Sequence, residues 1–151
     1  MKVEKLKKFL KSKGIEADFH EFSDPTISVE DSSEQLGVEP DKIVKSLVFI
    51  DQDGNPILAI VPGTKRVDEE ELSKVHGSEV RIAKAREVEE FSGYKIGEVP
   101  PIGHDLKTVM DREILNSEKV IAGGGSTHTL MELEPKDIVE VTDAVLAEIS
   151  A

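Results

Sequence analysis

The sequence contains no cysteine. That excludes disulfides, thiolate zinc sites and a cysteine nucleophile. It has no apolar run approaching the length of a bilayer span, so no membrane partner is read from it. The first residues, MKVEKLKKFLKSKG, are basic but lack an apolar stretch and a small-residue cleavage site. No signal peptide is read there, and the cytoplasm is the expected compartment. Asparagine and glutamine are scarce: Asn55, Asn116, Gln35 and Gln52 are the only ones. With Glu and Lys abundant, the bias matches proteins of hot-living organisms, which favour ion-pair networks and avoid thermolabile side chains. The histidines His20, His76, His104 and His128 are scattered, with no helical i, i+4 pair. No metal and no other cofactor is expected.

What is present fits one domain, residues 1–151, with a single sizeable core. The formal net charge of −12 would repel a polyanion, and no DNA partner is expected. The charge is uneven, however. Residues 1–14 hold six lysines and one glutamate, a local balance of +5 that leaves −17 for the rest. Such a segment is either a solvated helix face or an arm for an RNA end.

Val3, Leu6, Phe9 and Leu10 recur at helical spacing before Gly14, predicting an amphipathic helix over 2–13. ADFHEF alternates as a strand. Ser28 and Asp31 form an N-cap pattern for a helix ending at Gly37. KIVKSLVFI and NPILAIVPG read as strands joined by a DQDG hairpin. Asp68 caps a helix stopped by Gly77. EVRIA is a strand, and KAREVEEFSG a short helix. Residues 93–103 form a Gly/Pro loop. DLKTVMD, KVIAGG and STHTLMEL read as strands, Pro135 opens a helix, and DAVLAEISA is expected to be helical. The fold class is mixed α/β (α+β): a twisted, largely antiparallel sheet with short helices packed around it.

Four places could carry chemistry. Gly123, Gly124 and Gly125 follow a strand-like run, but match neither the Walker nor the dinucleotide fingerprint. They form either a tight turn or bulge, or a site where a ligand comes close. Ser126 and His128 lack an oriented acid and a nucleophile-elbow context, so His128 either contacts a ligand or supports the turn. Lys45 shares one strand face with Leu47 and Phe49, and its ammonium either snorkels to water or waits in a pocket for an anion. The loop Gly93-Tyr94-Lys95-Ile96-Gly97-Glu98-Val99-Pro100-Pro101-Ile102-Gly103 is shaped by proline and freed by glycine, and can offer backbone N–H groups.

VKSLVF, SGYKIGEVPPIG, LKTVMD and IAGGGSTHTLMELEPKDI, in this order, resemble the YbaK/prolyl-tRNA-synthetase editing-domain family over nearly the whole chain. The resemblance implies hydrolysis of the ester between a wrong amino acid and tRNA. Lys45 stands at the family's near-invariant lysine, and Gly97 to Pro101 at its Gly-x-x-x-Pro loop. These three, Lys45, Gly97 and Pro101, are the implied catalytic set. Ser46, Tyr94, Gly123, Gly124, Gly125, Ser126 and His128 are the implied substrate-binding set. Cysteinyl-specific members usually carry Thr after the lysine and alanyl-specific ones often Asn; here it is Ser46. Glu98 stands where many relatives have a second glycine.

An aminoacyl ester is already activated. A positioned water, the 2′-hydroxyl of the terminal adenosine and N–H donors for the oxyanion suffice, with Lys45 as either an electrostatic clamp on the tRNA terminus or a structural post for the site. Proline is expected to be excluded by size. The implied partner is the tRNA acceptor end, with Lys5, Lys8 and Lys11 as contacts, and an aminoacyl-tRNA synthetase is a possible second partner. Two other readings stand beside this one: a catalytically silent homologue that binds aminoacyl-tRNA or a synthetase, and a small-ester hydrolase unconnected with tRNA.

Overall fold

The computed structural model describes residues 2–26 and 28–151. Helix α1 (Lys2–Ser12) buries Leu6 and Leu10 and leaves its lysines largely in water. Strand β1 (Ala17–Glu21) follows, then α2 (Val29–Leu36). The Ser28 hydroxyl caps α2 by accepting the Asp31 N–H at 3.0 Å, and Gly37 ends it at φ 67°. The next strands are β2 (Val44–Asp51) and β3 (Pro56–Pro62). Their hairpin is closed by the Asp51 carboxylate, which accepts the N–H groups of Asp53 and Asn55 at 3.0 and 2.8 Å. Then come α3 (Glu69–His76), β4 (Val80–Ile82), α4 (Ala85–Ser92) and β5 (Lys107–Asp111). The chain finishes with β6 (Val120–Ser126), β7 (Thr129–Leu133), α5 (Pro135–Thr142) and β8 (Val145–Ala147).

The strands form two sheets rather than one. Five lie in the order β4-β2-β3-β5-β8, and three in the order β1-β7-β6. Pairing is antiparallel except β3–β5 and β5–β8. Strand β3 is central and buried from Ile57 onward, which is why its sequence is a continuous apolar run and not an alternation. Strand β2 alternates strictly. Val44, Val48 and Ile50 face the smaller sheet, joining Met131, Leu133 and Leu6 in the main core. Leu47 and Phe49 face the other way, toward Leu72 of α3 and Ile149.

The C-terminal segment corrects the expectation of a helix over DAVLAEISA. Strand β8 adds to β5 in parallel, pairing Val145 with Val109 and Ala147 with Asp111. The backbone then runs along the Arg66–Asp68 segment, with Ala151 N–H donating to the Arg66 carbonyl at 2.9 Å and Asp68 N–H to the Ile149 carbonyl at 2.7 Å. Asp111 is the anchor. Its buried carboxylate accepts the Ile149 N–H at 3.0 Å, the Ser150 hydroxyl, and the Glu113 N–H at 2.9 Å. Burial alone would raise the carboxyl's pKa, but these hydrogen bonds together hold it below its ordinary value.

A depressed carboxyl gives stability that is present above the unfolded-state pKa and is lost as pH falls through the folded one. Asp111→Ala is therefore expected to cost about 3 kcal/mol near neutral pH, since it strands several donors. Thermal melts at pH 7 and pH 3 check this: the gap between parent and variant should narrow at the lower pH.

Candidate active site

A cavity of about 360 Å³ opens beside the first half of β2. Strand β4 pairs only with Phe49–Asp51, and Val48 accepts the Ala83 N–H, so among the described residues the edge of β2 before Val48 has no neighbouring strand beyond a bridge from Ile43 to Ile121. The cavity wraps this edge. That explains how Lys45 and Ser46, which point to opposite faces, both line it. Gly63 N–H donates to the Ile43 carbonyl and Asp51 N–H to that of Asn55, which places the odd-numbered residues in hydrogen-bonded register with β3. Ser46 thus turns its peptide groups away from β3.

The Lys45 ammonium is pulled below its ordinary value, first by burial and then by the positive charge of Arg66, with Glu30 acting against both. The Ser46 hydroxyl is buried in the cavity wall and has no hydrogen-bond partner among the described residues. A buried hydroxyl left so costs about 1–3 kcal/mol.

Opposite Lys45 stands the Gly/Pro loop, which presents Ile96, Gly97 and Val99 to the cavity. Glu98 N–H donates to the Lys95 carbonyl at 2.9 Å, and Gly97 has φ 85°, the geometry of a type II turn with glycine at its third position. The Gly97 N–H lies outside that turn bond and has no acceptor among the described residues. Gly97 and Lys45 line the same cavity. Pro101 does not line the cavity. It is buried behind the loop, where its carbonyl accepts His104 Nε2–H at 3.0 Å, while His104 Nδ1 accepts the Leu106 N–H at 3.1 Å. Burial pushes the His104 pKa down, with the Pro101 bond and Asp105 opposing, and the neutral ring is the form these two bonds use.

The three glycines lie inside β6, with a register shift between Gly123 and Ser126, and the chain turns at Thr127–His128. This replaces the expected strand running on from Ser126. Each glycine has its own reason. A Cβ at Gly123 would stand 3.0 Å from the Val99 carbonyl oxygen and 3.4 Å from that of Glu98, so this glycine lets the loop dock. A Cβ at Gly124 would meet Thr129 Cγ2 at 2.8 Å. Gly125 adopts φ 96° under the Tyr94 ring.

Of the expected substrate-binding residues, only Ser46 and Gly123 line the Lys45 cavity. Tyr94 is core, beneath Leu6 and the Lys2 ammonium. Gly125, Ser126 and His128 line a separate hollow beside Lys2 and Phe22. The Ser126 hydroxyl is taken by Thr129 Oγ1 at 2.6 Å and the His128 N–H at 3.2 Å. The His128 ring meets the Thr127 hydroxyl at 2.9 Å, and its carbonyl accepts the Phe22 N–H at 2.8 Å. The hairpin tip is thereby tied to residues 22–26, which lead into α2. Lys5, Lys8 and Lys11 are exposed on α1 and form no ion pair among the described residues.

Sequence reasoning missed the wall supplied by Thr26, Val29 and Ser32 at the start of α2, and by Gly63. Gly63, just after β3, has no room for a side chain, its Cβ position lying 2.8 Å from the Ile43 oxygen and 2.9 Å from Val29, and neither neighbour is visible from the local sequence.

Residues 23–141 match the profile of the aminoacyl-tRNA editing domain. A protein of Enterococcus faecalis, EbsC, whose name proposes a Cys-tRNA(Pro)/Cys-tRNA(Cys) deacylase, is 30% identical over 132 residues, covering 85% of this chain and 80% of its own. A proline–tRNA ligase of Maridesulfovibrio salexigens is 37% identical over 105 residues, 67% of this chain but 18% of the ligase. A crystal structure described as a candidate trans-editing enzyme for prolyl tRNA synthetase superposes with a TM-score of 0.91 at 30% identity, covering 99% of this chain and 97% of the other. With Lys45 and the Gly97 loop on one cavity, and with these matches, the chain belongs to the aminoacyl-tRNA editing domain family and is an ester hydrolase of aminoacyl-tRNA.

Proposed function

We propose that residues 1–151 act as one trans-editing domain in the cytoplasm, removing alanine or serine from mischarged tRNA. Cys-tRNA(Pro), the substrate class in the name of EbsC, is the next candidate. The observation that carries this reading is that Lys45 and Gly97, whose N–H has no acceptor among the described residues, line one small cavity. In the proposed step, the ester carbonyl lies between them. Water, oriented by the terminal 2′-hydroxyl, forms the new C–O bond. The carbonyl oxygen takes up negative charge against the Gly97 N–H. The ester C–O bond then breaks, and the ribose oxygen leaves with a proton from the attacking water. Lys45 offsets negative charge at the tRNA terminus throughout. The unpaired Ser46 hydroxyl favours an amino acid that can hydrogen-bond, which supports serine over alanine.

The test is hydrolysis of tRNAs charged with Ala, Ser, Cys, Thr and Pro. Fastest release of Ala or Ser supports the proposal. Fastest release of Cys replaces that substrate and keeps the chemistry. Release of none favours the silent, synthetase- or tRNA-binding reading.

Lys5, Lys8 and Lys11 are proposed to meet the tRNA backbone. Replacing all three by Glu is expected to weaken tRNA binding and to flatten its salt dependence by roughly one ion per lost phosphate contact. Cleavage of a short aminoacyl-adenosine ester should barely change. If tRNA binding is also unchanged, the approach runs instead through Lys42 or Arg66, the second of which already acts on Lys45.

A further inference from the structure

The turn that offers Gly97 to the cavity has little packing of its own. Lys95 is exposed, and Ile96 is 53% exposed. Yet an oxyanion donor has to be held in place to be useful. Glu98 is placed to hold it. The Glu98 carboxylate Oε1 accepts the Lys95 N–H at 3.1 Å, while the Glu98 N–H donates to the Lys95 carbonyl at 2.9 Å. Lys95 and Glu98 are therefore joined twice, once through main chain and once through side chain, with Ile96 and Gly97 between them. The Glu98 side chain is only 13% exposed, and the same Oε1 meets the Lys2 ammonium at 3.5 Å. Its backbone rests against Gly123.

We propose that Glu98 is a positioning residue: its carboxylate, acting as a hydrogen-bond acceptor, clamps the Lys95–Glu98 turn and so fixes the Gly97 N–H against the substrate ester. The inference rests on the deacylase reading above. Lys2 steadies the carboxylate but is not what closes the turn, because the Lys95 N–H contact is shorter and bridges the two ends of the turn. Two other groupings of charged side chains occur in the fold. The one holding His128 gathers Glu4, Glu21 and Glu98 around a single lysine, with nothing that selects a ligand. The His76–Asp51–Lys107 group is fully satisfied, with contacts of 2.9 and 2.8 Å.

The experiment compares the parent with Glu98→Ala, Glu98→Gln and Lys2→Ala on the charged tRNA that the parent hydrolyses fastest, together with amide hydrogen exchange. Misplacing one donor predicts that Glu98→Ala lowers kcat by roughly tenfold to thirtyfold while KM moves by less than about twofold. The Lys95 amide should exchange about tenfold faster or more in that variant, having lost its acceptor. Glu98→Gln keeps a carbonyl acceptor and is expected to recover kcat to within about threefold of the parent, and Lys2→Ala to within about twofold. Parental kcat in Glu98→Ala, or unchanged exchange at Lys95, overturns the clamp and leaves the deacylase reading standing. A Glu98→Gln variant as slow as Glu98→Ala, matched by Lys2→Ala, assigns the effect to the ion pair and overturns the acceptor role. A parent that hydrolyses none of the charged tRNAs overturns the deacylase reading and the clamp's function with it.

Discussion

Lys45→Ala should lower deacylation by roughly 10²–10³ without unfolding the protein, the loss expected when an electrostatic contact of ~3–4 kcal/mol is removed from a transition state. The fold survives because Lys45 occupies an open strand edge and contributes no apolar core of its own; its β3 partner Val61 is packed by Phe49, Leu72 and their neighbours. Lys45→Arg keeps the charge but swaps a compact ammonium for a planar fork, and should recover only part of the rate. His128→Ala is the internal comparison. Its ring lies on the hairpin tip in a different hollow, so its rate should stay within about threefold of the parent. Single-turnover deacylation of all three variants decides the matter. A Lys45→Ala enzyme with parental rates would take this lysine out of the chemistry.

Gly123→Val should be nearly as damaging, by a different route. The smallest side chain at this position already reaches within 3.0 Å of the Val99 oxygen, and valine adds bulk beyond that. Either the loop moves off β6, carrying the Gly97 N–H with it, or β6 bends. A displacement of about an ångström at a positioned donor can cost up to about 10²-fold, so a loss of tenfold to a hundredfold in kcat is expected. Overpacking should also take about 1–3 kcal/mol from stability. Melting curves and kcat measured at the same temperature separate the two effects. A valine variant with parental kcat would show that the loop can retreat without disturbing the ester.

Much of this was readable from the residues, for physical reasons that differ by element. Caps were legible because they are local: Ser28, Asp68 and Gly37 do what their side chains or φ angles favour, whatever surrounds them. The DQDG hairpin and Pro135 belong to the same class. Lys45 showed itself by breaking an apolar pattern. The C-terminal segment did not, because Ala, Leu and Glu favour helix locally, while the open edge of β5 and the Asp111 carboxylate offered partners far away in sequence.

The glycine run was legible as a turn or bulge between strands, but not in its detail. One motif held three separate spatial demands, set by Val99, Thr129 and Tyr94, and none of these neighbours is visible in the run itself. His128 drew attention for its versatility, but its placement was decided by where a hairpin turned. The split into two sheets with two parallel pairings is likewise a long-range outcome, since no strand sequence states its partner.

The alternation of β2 at its open edge bears on how such a protein can change its taste. On the proposed roles, charge compensation and amino-acid discrimination hang from consecutive residues, Lys45 and Ser46, which leave the strand in opposite directions, with Val44 and Val48 on one side joining one core and Leu47 and Phe49 on the other joining the second. A substitution at Ser46 would then alter what the pocket grips without repacking the ground beneath the lysine. On that reading, selectivity is free to drift among descendants of this scaffold while the hydrolytic step stays intact.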